Sequence, residues 1–315
     1  MQFGFGLPTQ TPLGTAANLT RLAQEGEALG FAYATVSDHI VIPRDIHARY
    51  PYSETGEFPA GTSSPWQDQL TAIAFLAART QRIHFHTSVM VVPHRPAVLT
   101  AKVIGTIDFL SEGRLSVGIG AGWMKEEFEA LGAPPFEHRG TVTDEYICAF
   151  RELWTNPNPS FDGQYVKFSN VTFEPKPKQP IQIWVGGESP PAVRRAARLG
   201  DGWYPIGSNP QFPLDSLPRY RNAVQRLRQM ASEAGRDPSS VKLGYRTFET
   251  GANPAAKAGD GERKLFTGAP AEVLGDIHAL QDLGVTRMDW RIGGPSVETI
   301  VDNLQRFREN VMARM

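Results

Sequence analysis

The sequence predicts a (β/α)8 TIM barrel with insertions in its strand-to-helix loops, as one domain over residues 1–315. Short apolar runs rich in β-forming residues alternate with longer stretches of helical periodicity, and eight such units follow one another. Connections from helix to strand are short and carry glycine, whereas most connections from strand to helix are long. This asymmetry is typical of barrels whose functional loops gather at the carboxyl ends of the strands.

The strands are expected where apolar and β-branched residues cluster, and the last strand is followed by a helix over 297–311. Their expected positions are residues 2–7, 32–36, 83–89, 114–120, 181–185, 202–205, 241–248 and 286–291. An open, doubly wound sheet is the structural alternative, because periodicity alone does not show that a sheet closes.

The connections indicate where function is located. The short ones contain Gly30, Gly113, Gly200 and Gly284, each expected to end a helix as a left-handed cap. The segment 156–180 is bounded by prolines and predicts a β-hairpin rather than a linker. The long loops cover residues 40–66, 121–139, 206–214 and 250–270. Since these loops all leave the carboxyl ends of strands, the functional residues are expected there.

The composition excludes several classes of partner. The chain is 41% hydrophobic and 21% charged, and its net charge of -1 gives no general attraction to nucleic acid or to an anionic membrane. Small molecules are therefore the expected partners. No apolar run reaches the roughly 20 residues that span a bilayer, and no secretory signal is recognisable, which predicts a cytoplasmic protein. The single cysteine, Cys148, is expected to pack within a helix.

Asp38 and His39 follow the second expected strand, which places both at the barrel mouth. Because histidine titrates near neutral pH, His39 is a candidate catalytic acid or base, with Asp38 or a neighbouring carbonyl group to hold its ring. A histidine that only hydrogen-bonds a loop is the alternative, and the position at a strand end favours the catalytic role.

The third expected strand places His84, His86 and Ser88 on one face, because side chains alternate along a strand. A His-x-His pair on a barrel strand is also how some metal-dependent hydrolases begin a metal site. No matching cluster of His, Asp or Glu follows later strands, so packing or hydrogen bonding inside the barrel is favoured and no metal is expected.

Two glycine clusters close the fourth and fifth expected strands, at residues 118–123 and 185–190. Glycine allows a flat ring or a phosphate to approach the backbone closely. In the second cluster, Glu188 and Ser189 precede two prolines and a helix, so exposed amides and the helix dipole predict a phosphate-binding turn. A tight turn without a ligand is the alternative.

Four segments resemble the luciferase-like monooxygenase superfamily, which also contains deazaflavin-dependent dehydrogenases and reductases. They are SDH at 37–39, TSVMVVPHRPAVLTAK at 87–102, DFLSEGRLSVGIGAGW at 108–123 and PIQIWVGGESPPAVRRAARLGDGW at 180–203. The resemblance runs through most of the chain. It implies a (β/α)8 barrel, usually a homodimer, that binds reduced FMN or the deazaflavin coenzyme F420 at its mouth.

The resemblance also assigns roles to individual residues. Asp38 and His39 match the site on the second strand, and Ser88 and Val89 match a bulge where many members hold a non-proline cis peptide. Gly120 matches a backbone contact to the cofactor ring. The turn near the phosphate is matched by Val185, Gly186 and Gly187, with Glu188 and Ser189 following.

Two departures concern the substrate. Deazaflavin-dependent sugar-phosphate dehydrogenases carry an acid directly after the glycines of the fourth strand, where this chain has Ala121, while Glu126 and Glu127 come later. A sugar-phosphate substrate is therefore not expected. Related sequences commonly carry glycine where this chain has His86, so His86 is expected to narrow the substrate pocket. Arg291, at the end of the last strand, is a candidate anion clamp, with a solvated charge as the alternative.

The expected function is hydride transfer or monooxygenation of a small organic substrate with FMN or F420. Overall likeness gives F420 a slight preference, and its polyanionic tail would need cations such as Arg44, Arg49, Arg194 and Arg195. A non-catalytic flavin-binding barrel and a metal-dependent hydrolase are the alternatives, and the sequence does not name the substrate.

Overall fold

The structure, a computed structural model, describes residues 1–61, 63–248 and 254–315. Its strands are β1 (Gln2–Gly6), β2 (Tyr33–Val36), β3 (His84–Val91), β4 (Leu115–Gly120), β5 (Phe161–Asp162), β6 (Lys167–Phe168), β7 (Ile183–Gly186), β8 (Gly202–Tyr204), β9 (Lys242–Thr247) and β10 (Val285–Trp290). Eight of them pair in parallel and close in the order β1-β10-β9-β8-β7-β4-β3-β2. The predicted TIM barrel is confirmed, and the open-sheet alternative is wrong.

Each predicted barrel strand overlaps an observed strand. The largest change at a carboxyl end is in β3, which continues to Val91 because its register with β4 shifts between Thr87 and Met90. The predicted hairpin within 156–180 is confirmed, since β5 and β6 pair in antiparallel fashion. Part of the predicted loop 250–270 lies outside the described residues.

The helices pack around the barrel and bury apolar residues against the outward faces of the strands. They are α1 (Ala16–Ala28), α2 (Gln69–Ala77), α3 (Ala97–Leu110), α4 (Lys125–Leu131), α5 (Arg139–Thr155), α6 (Pro190–Leu199), α7 (Leu217–Glu233), α8 (Pro270–Asp282) and α9 (Val297–Asn310). Four of them begin at side chains that accept a backbone amide of the first turn, those of Thr15, Asp68, Ser216 and Ser296. Within the described ranges, no helix has the length and apolar composition that a membrane span requires.

Three of the four predicted glycine caps are left-handed. Gly30, Gly113 and Gly284 have φ of 85°, 83° and 96°, in the region that favours glycine. The prediction for Gly200 is wrong, because its φ is -79°. Glycine is needed there for space, since a Cβ would come within 3.0 Å of the Ala196 carbonyl oxygen.

Side chains fill the middle of the barrel lumen. His86 makes edge contacts with the rings of Tyr33, Trp184 and Tyr204, at centroid distances of 6.0, 6.5 and 4.8 Å. The Tyr204 hydroxyl also donates to Asp289. All five side chains are almost fully buried, so packed groups separate the two ends of the barrel.

Candidate active site

The carboxyl end of the barrel brings His39, which follows β2, against Glu127 of α4. Nδ1 of His39 lies 2.6 Å from Oε2 of Glu127, and both side chains are buried. Because an ionised carboxylate only accepts hydrogen bonds, Nδ1 carries the hydrogen, and Nε2 is left as the ring atom for proton transfer. The other oxygen, Oε1, accepts the amides of Ile40 and Val41 at 2.8 and 3.3 Å.

The charge of Glu127 is set by competing effects. Burial alone would raise the pKa of Glu127, but the hydrogen bond and charge of His39, the charge of His94 and the Ile40 amide lower it below the ordinary value. Glu127 is therefore ionised at neutral pH and can stabilise a protonated His39. The sequence analysis noted Glu127 without assigning it to the site.

The expectation that Asp38 holds the His39 ring is wrong. Asp38 accepts two hydrogen bonds from Arg95, at 2.9 and 2.8 Å, and one from the Val91 amide at 2.9 Å. Arg95 also pairs with Asp68 at 2.7 Å. Asp38 thus ties the end of β2 to the end of β3, and consecutive residues at a strand end point in different directions.

Ser88 and Val89 form the predicted bulge on β3, and the predicted cis peptide between them is confirmed. The Ser88 hydroxyl lies 3.2 Å from the Tyr204 hydroxyl. Arg246 of β9 donates to the Ser88 carbonyl oxygen at 3.2 Å and also to the Ser88 hydroxyl. The bulge is therefore fixed from across the lumen.

Glycines surround the Val89 side chain. A Cβ on Gly120 or on Gly186 would lie 2.9 Å from a Val89 methyl group, closer than real Cβ atoms come. Gly187 has φ of 100°, a conformation that favours glycine. The backbones of β4 and β7 thus approach the Val89 side chain closely, which requires glycine at both positions. Val185 is buried and faces Gly200, so only its backbone can contact a ligand.

The turn after β7 differs from the simple phosphate-binding turn. Ser189 precedes α6 and makes no side-chain capping hydrogen bond, but Pro190 and Pro191 carry no N–H and the Val193 amide donates to the Ser189 carbonyl oxygen, so the first turn of this helix offers few donors to an anion. Glu188 is buried, and its carboxyl group accepts the Ile206 amide at 2.6 Å and the Asn209 side chain at 2.7 Å. Burial raises the pKa of Glu188 to about 7, so this carboxyl group is partly neutral near physiological pH.

Arg246 of β9 is a second site residue that the sequence did not predict. Its Nε lies 3.5 Å from Oδ2 of Asp289, and its guanidinium lies 5.2 Å from the Phe248 ring centroid. Lys242, Gly244 and Arg246 share one face of β9 by strand alternation, which could have placed Arg246 in the lumen.

Aromatic side chains from the loops 40–66 and 121–139 pack around His39. The His39 ring lies 4.6 Å from Trp66, 5.2 Å from Phe58 and 6.3 Å from Trp123, between ring centroids. Tyr50 packs on Trp123 at 5.1 Å. This cluster gives the mouth an apolar wall that limits water around the histidine.

A family model described as luciferase-like monooxygenase matches residues 1–269. The chain belongs to the luciferase-like monooxygenase family. An uncharacterized protein of Mycobacterium tuberculosis is 32% identical over 302 residues, which cover 93% of this chain and 94% of that protein. The FMNH(2)-dependent dimethylsulfone monooxygenase of Pseudomonas fluorescens is 32% identical over 231 residues, which cover 72% of this chain and 56% of that enzyme.

Solved structures share the luciferase-like fold at lower identity. The monooxygenase RslO1 from Streptomyces bottropensis has a TM-score of 0.72 at 22% identity, with 100% of this chain and 99% of that chain covered. An F420-dependent secondary alcohol dehydrogenase has a TM-score of 0.75 at 17% identity, with the same coverage. These likenesses show the fold alone, while the family includes enzymes that use FMN and enzymes that use F420.

One expected site residue, His86, lies elsewhere in this luciferase-like barrel. His86 lies inside the lumen, with Nδ1 2.9 Å from the Ser116 hydroxyl, so the expectation that it narrows the substrate pocket is wrong. Burial, and then the charges of Arg287 and Arg246, hold its pKa well below the ordinary value. In the described ranges, no group of three or more His, Cys, Asp or Glu residues is arranged to hold a metal.

Two of the arginines expected to bind the cofactor tail are hydrogen-bonded to other groups of the protein, and two are exposed. Arg195 is buried and binds Asp144 and the Gly140 carbonyl oxygen, so it is not available to a cofactor tail. Arg49 donates to backbone carbonyl groups of its own loop. Arg44 and Arg194 are exposed. Arg291 is exposed at 5.9 Å from the Phe248 ring, and its role as an anion clamp stays a prediction.

Proposed function

We propose that this protein is an oxidoreductase that uses reduced FMN or F420 to transform a small organic substrate. The observation that carries the proposal is the buried His39–Glu127 pair at the carboxyl end of the barrel, where the backbones of Gly120 and Gly186 also approach Val89 closely. A flat ring fits against a backbone that lacks side chains, and a polarised histidine supplies the proton that redox steps on organic substrates need.

The residues at the mouth fit such a cofactor. Gly120 and Gly186 would face its ring system, and the backbone amides of the turn 186–189 would hold its phosphate. An ionised Glu188 would repel an anion at this turn, so the phosphate should bind mainly while the Glu188 carboxyl group is protonated. When bound, the reduced cofactor supplies the electrons, as hydride for F420 or for oxygen activation in the case of FMN.

The chain itself supplies position and protons. Glu127 fixes the ring of His39 and keeps Nε2 directed away from the carboxylate, so Nε2 donates or accepts the proton. Arg246 holds the bulge at Ser88 through its two hydrogen bonds. The ring cluster of Phe58, Trp66 and Trp123 favours an apolar substrate and excludes water.

The experiment is a titration of the purified protein with oxidised and reduced FMN and with F420, followed by absorption and fluorescence. We expect one of these cofactors to bind, and Gly186→Ala to weaken binding by roughly tenfold because the new methyl group meets Val89. Gly275→Ala, on the outside of α8, is the control and should bind as the parent does.

Other outcomes support the alternatives. Binding without turnover of any tested substrate would indicate a non-catalytic flavin-binding barrel. Tightly bound zinc without cofactor binding would indicate a hydrolase. The two cofactors are separated by the same titration, because F420 binding should depend on the exposed Arg44 and Arg194 through its anionic tail.

We also propose that the protein acts in the cytoplasm as a homodimer. Helix α3 exposes an apolar face formed by Val98, Leu99, Phe109 and Leu110, with exposed fractions of 41%, 60%, 39% and 74%. Exposed apolar patches of this kind are typical of subunit interfaces. Analytical ultracentrifugation should give a dimer that Leu99→Glu dissociates, and a monomeric parent protein would overturn the proposal.

A further inference from the structure

A cavity of about 970 Å³ opens at the amino ends of the barrel strands, opposite the candidate active site. We call it the amino-end cavity. Exposed Lys242 and His84 line its outer part, while buried Ser116, Trp184 and Arg287 line its inner part. Its volume lies in the range of small-molecule sites. The packed layer of Tyr33, His86 and Tyr204 separates it from the mouth.

Arg287 is incompletely paired. It is 8% exposed, and Nη1 donates to the Ser116 hydroxyl at 3.1 Å. Among the described residues, Nε of Arg287 has no hydrogen-bond partner, and no carboxylate lies within 4.0 Å of the Arg287 guanidinium. The nearest acid on the same strand, Asp289, pairs with Arg246 instead. Burying a cation with one hydrogen bond and no counter-ion costs free energy, unless a bound ligand supplies the missing negative charge and hydrogen-bond acceptors.

Aromatic rings flank the same guanidinium. Its carbon lies 4.4 Å from the ring centroid of Tyr33 and 5.0 Å from that of Trp184. These contacts orient the planar group without using its hydrogen-bond donors. A guanidinium held in this way presents a fork that matches a carboxylate or a phosphate.

The charges of the cavity wall favour an anion. Lys242 and Arg82 add positive charge at the rim. The carboxylate of Glu27 accepts the three backbone amides of residues 81–83 at 2.6 to 2.9 Å and lies 4.0 Å from Arg82, so Arg82 balances its charge and Lys242 remains as the positive charge of the rim. Burial raises the pKa of Asp108 to about 6, so this acid carries less negative charge in mildly acidic solution.

We propose that the amino-end cavity is a second binding site, which takes a small organic anion whose carboxylate or phosphate group hydrogen-bonds Arg287. The apolar part of the ligand packs on Trp184. The site is independent of the proposed redox function, because it lies at the opposite end of the barrel.

The test uses the full chain without added cofactor. Benzoate, phenyl phosphate and the neutral benzamide are titrated against protein labelled with ¹⁵N at arginine, and the Arg287 Nε–H resonance is followed. We expect saturable shifts with benzoate or phenyl phosphate and none with benzamide. A response to phenyl phosphate alone assigns the phosphate class, and a response to benzoate alone assigns the carboxylate class.

Variants localise the binding. Arg287→Met, which also identifies the resonance, should weaken anion affinity by tenfold or more, as measured by calorimetry. Lys242→Glu lies on the exposed rim, is safe for folding, and should weaken affinity severalfold, while the surface variant Arg221→Glu, which changes the net charge by the same two units, should not. The proposal is overturned if neither anion binds up to tens of millimolar, if benzamide binds equally, or if both Arg287→Met and Lys242→Glu bind like the parent.

Discussion

The two ends of the barrel are built in different ways. At the carboxyl end, side chains from distant parts of the sequence pair with each other: His39 with Glu127, Asp38 with Arg95, and Arg246 with Ser88. At the amino end, the short connections fold locally around left-handed glycines such as Gly113 and Gly284. Substitutions at the carboxyl end should therefore act mainly on function, whereas those at the amino-end turns should act mainly on stability.

The largest expected effect is at His39. His39→Ala should lower turnover by roughly 10²- to 10⁴-fold, the usual range for a positioned acid or base, because it removes the ring that Glu127 holds at 2.6 Å and whose Nε2 is proposed to transfer the proton. Cofactor affinity should change much less, since the glycines that we propose face the cofactor, Gly120 and Gly186, lie on other strands. Steady-state kinetics together with cofactor titration measure the two effects. Near-normal turnover would show that the His39–Glu127 hydrogen bond is only structural.

Glu127 should come next. Glu127→Gln should lower turnover by about 10- to 100-fold, because the amide keeps the shape of the carboxylate but loses the charge that supports a protonated His39. The ¹⁵N shifts of the His39 ring should report a change in tautomer, which a merely structural role would not produce. Glu126→Gln is the matched control, since Glu126 accepts only amides of the neighbouring loop. Equal turnover in both variants would contradict the positioning role.

The same contrast explains what the sequence could predict. Strand periodicity and glycine placement are local, so the barrel, the hairpin and three of four helix caps were predictable. The Glu127 partner was not, because 88 residues separate it from His39 along the chain. Asp38 does not hold His39, because the two adjacent side chains point in different directions and Asp38 binds Arg95 instead. The place of Arg246 in the lumen could be predicted, because side chains alternate along β9 and that alternation points Arg246 inward.

Glu188 should give the carboxyl end a pH-dependent stability. Its pKa in the fold is about 7, above the ordinary 4.5, so the fold favours the protonated form. The stability that this group contributes is fully present below about pH 4.5 and is lost as the pH rises through 7. Between about pH 4.5 and about pH 7, the free energy of unfolding of the parent should fall by on the order of 2 kcal/mol relative to that of Glu188→Gln, which cannot ionise.

Urea denaturation of the parent and of Glu188→Gln at about pH 5 and about pH 8 measures this difference. Glu309→Gln, on the exposed surface of α9, is the control and should follow the parent at both pH values. A difference that grows as the pH falls would have the opposite sign and would contradict the raised pKa.

The smallest expected effects test the amino-end turns with a matched pair of glycines. Gly284 has φ of 96°, and its Cβ would meet atoms no closer than 3.6 Å, so Gly284→Ala adds backbone strain without a clash and should destabilise the fold by roughly 1 kcal/mol. Gly275 lies within α8 with open space around it, and Gly275→Ala should stabilise by about 0.5 to 1 kcal/mol. Both shifts are read from thermal unfolding. Turnover should stay unchanged in both variants, and a loss of turnover in Gly284→Ala at full stability would break the division between the two ends.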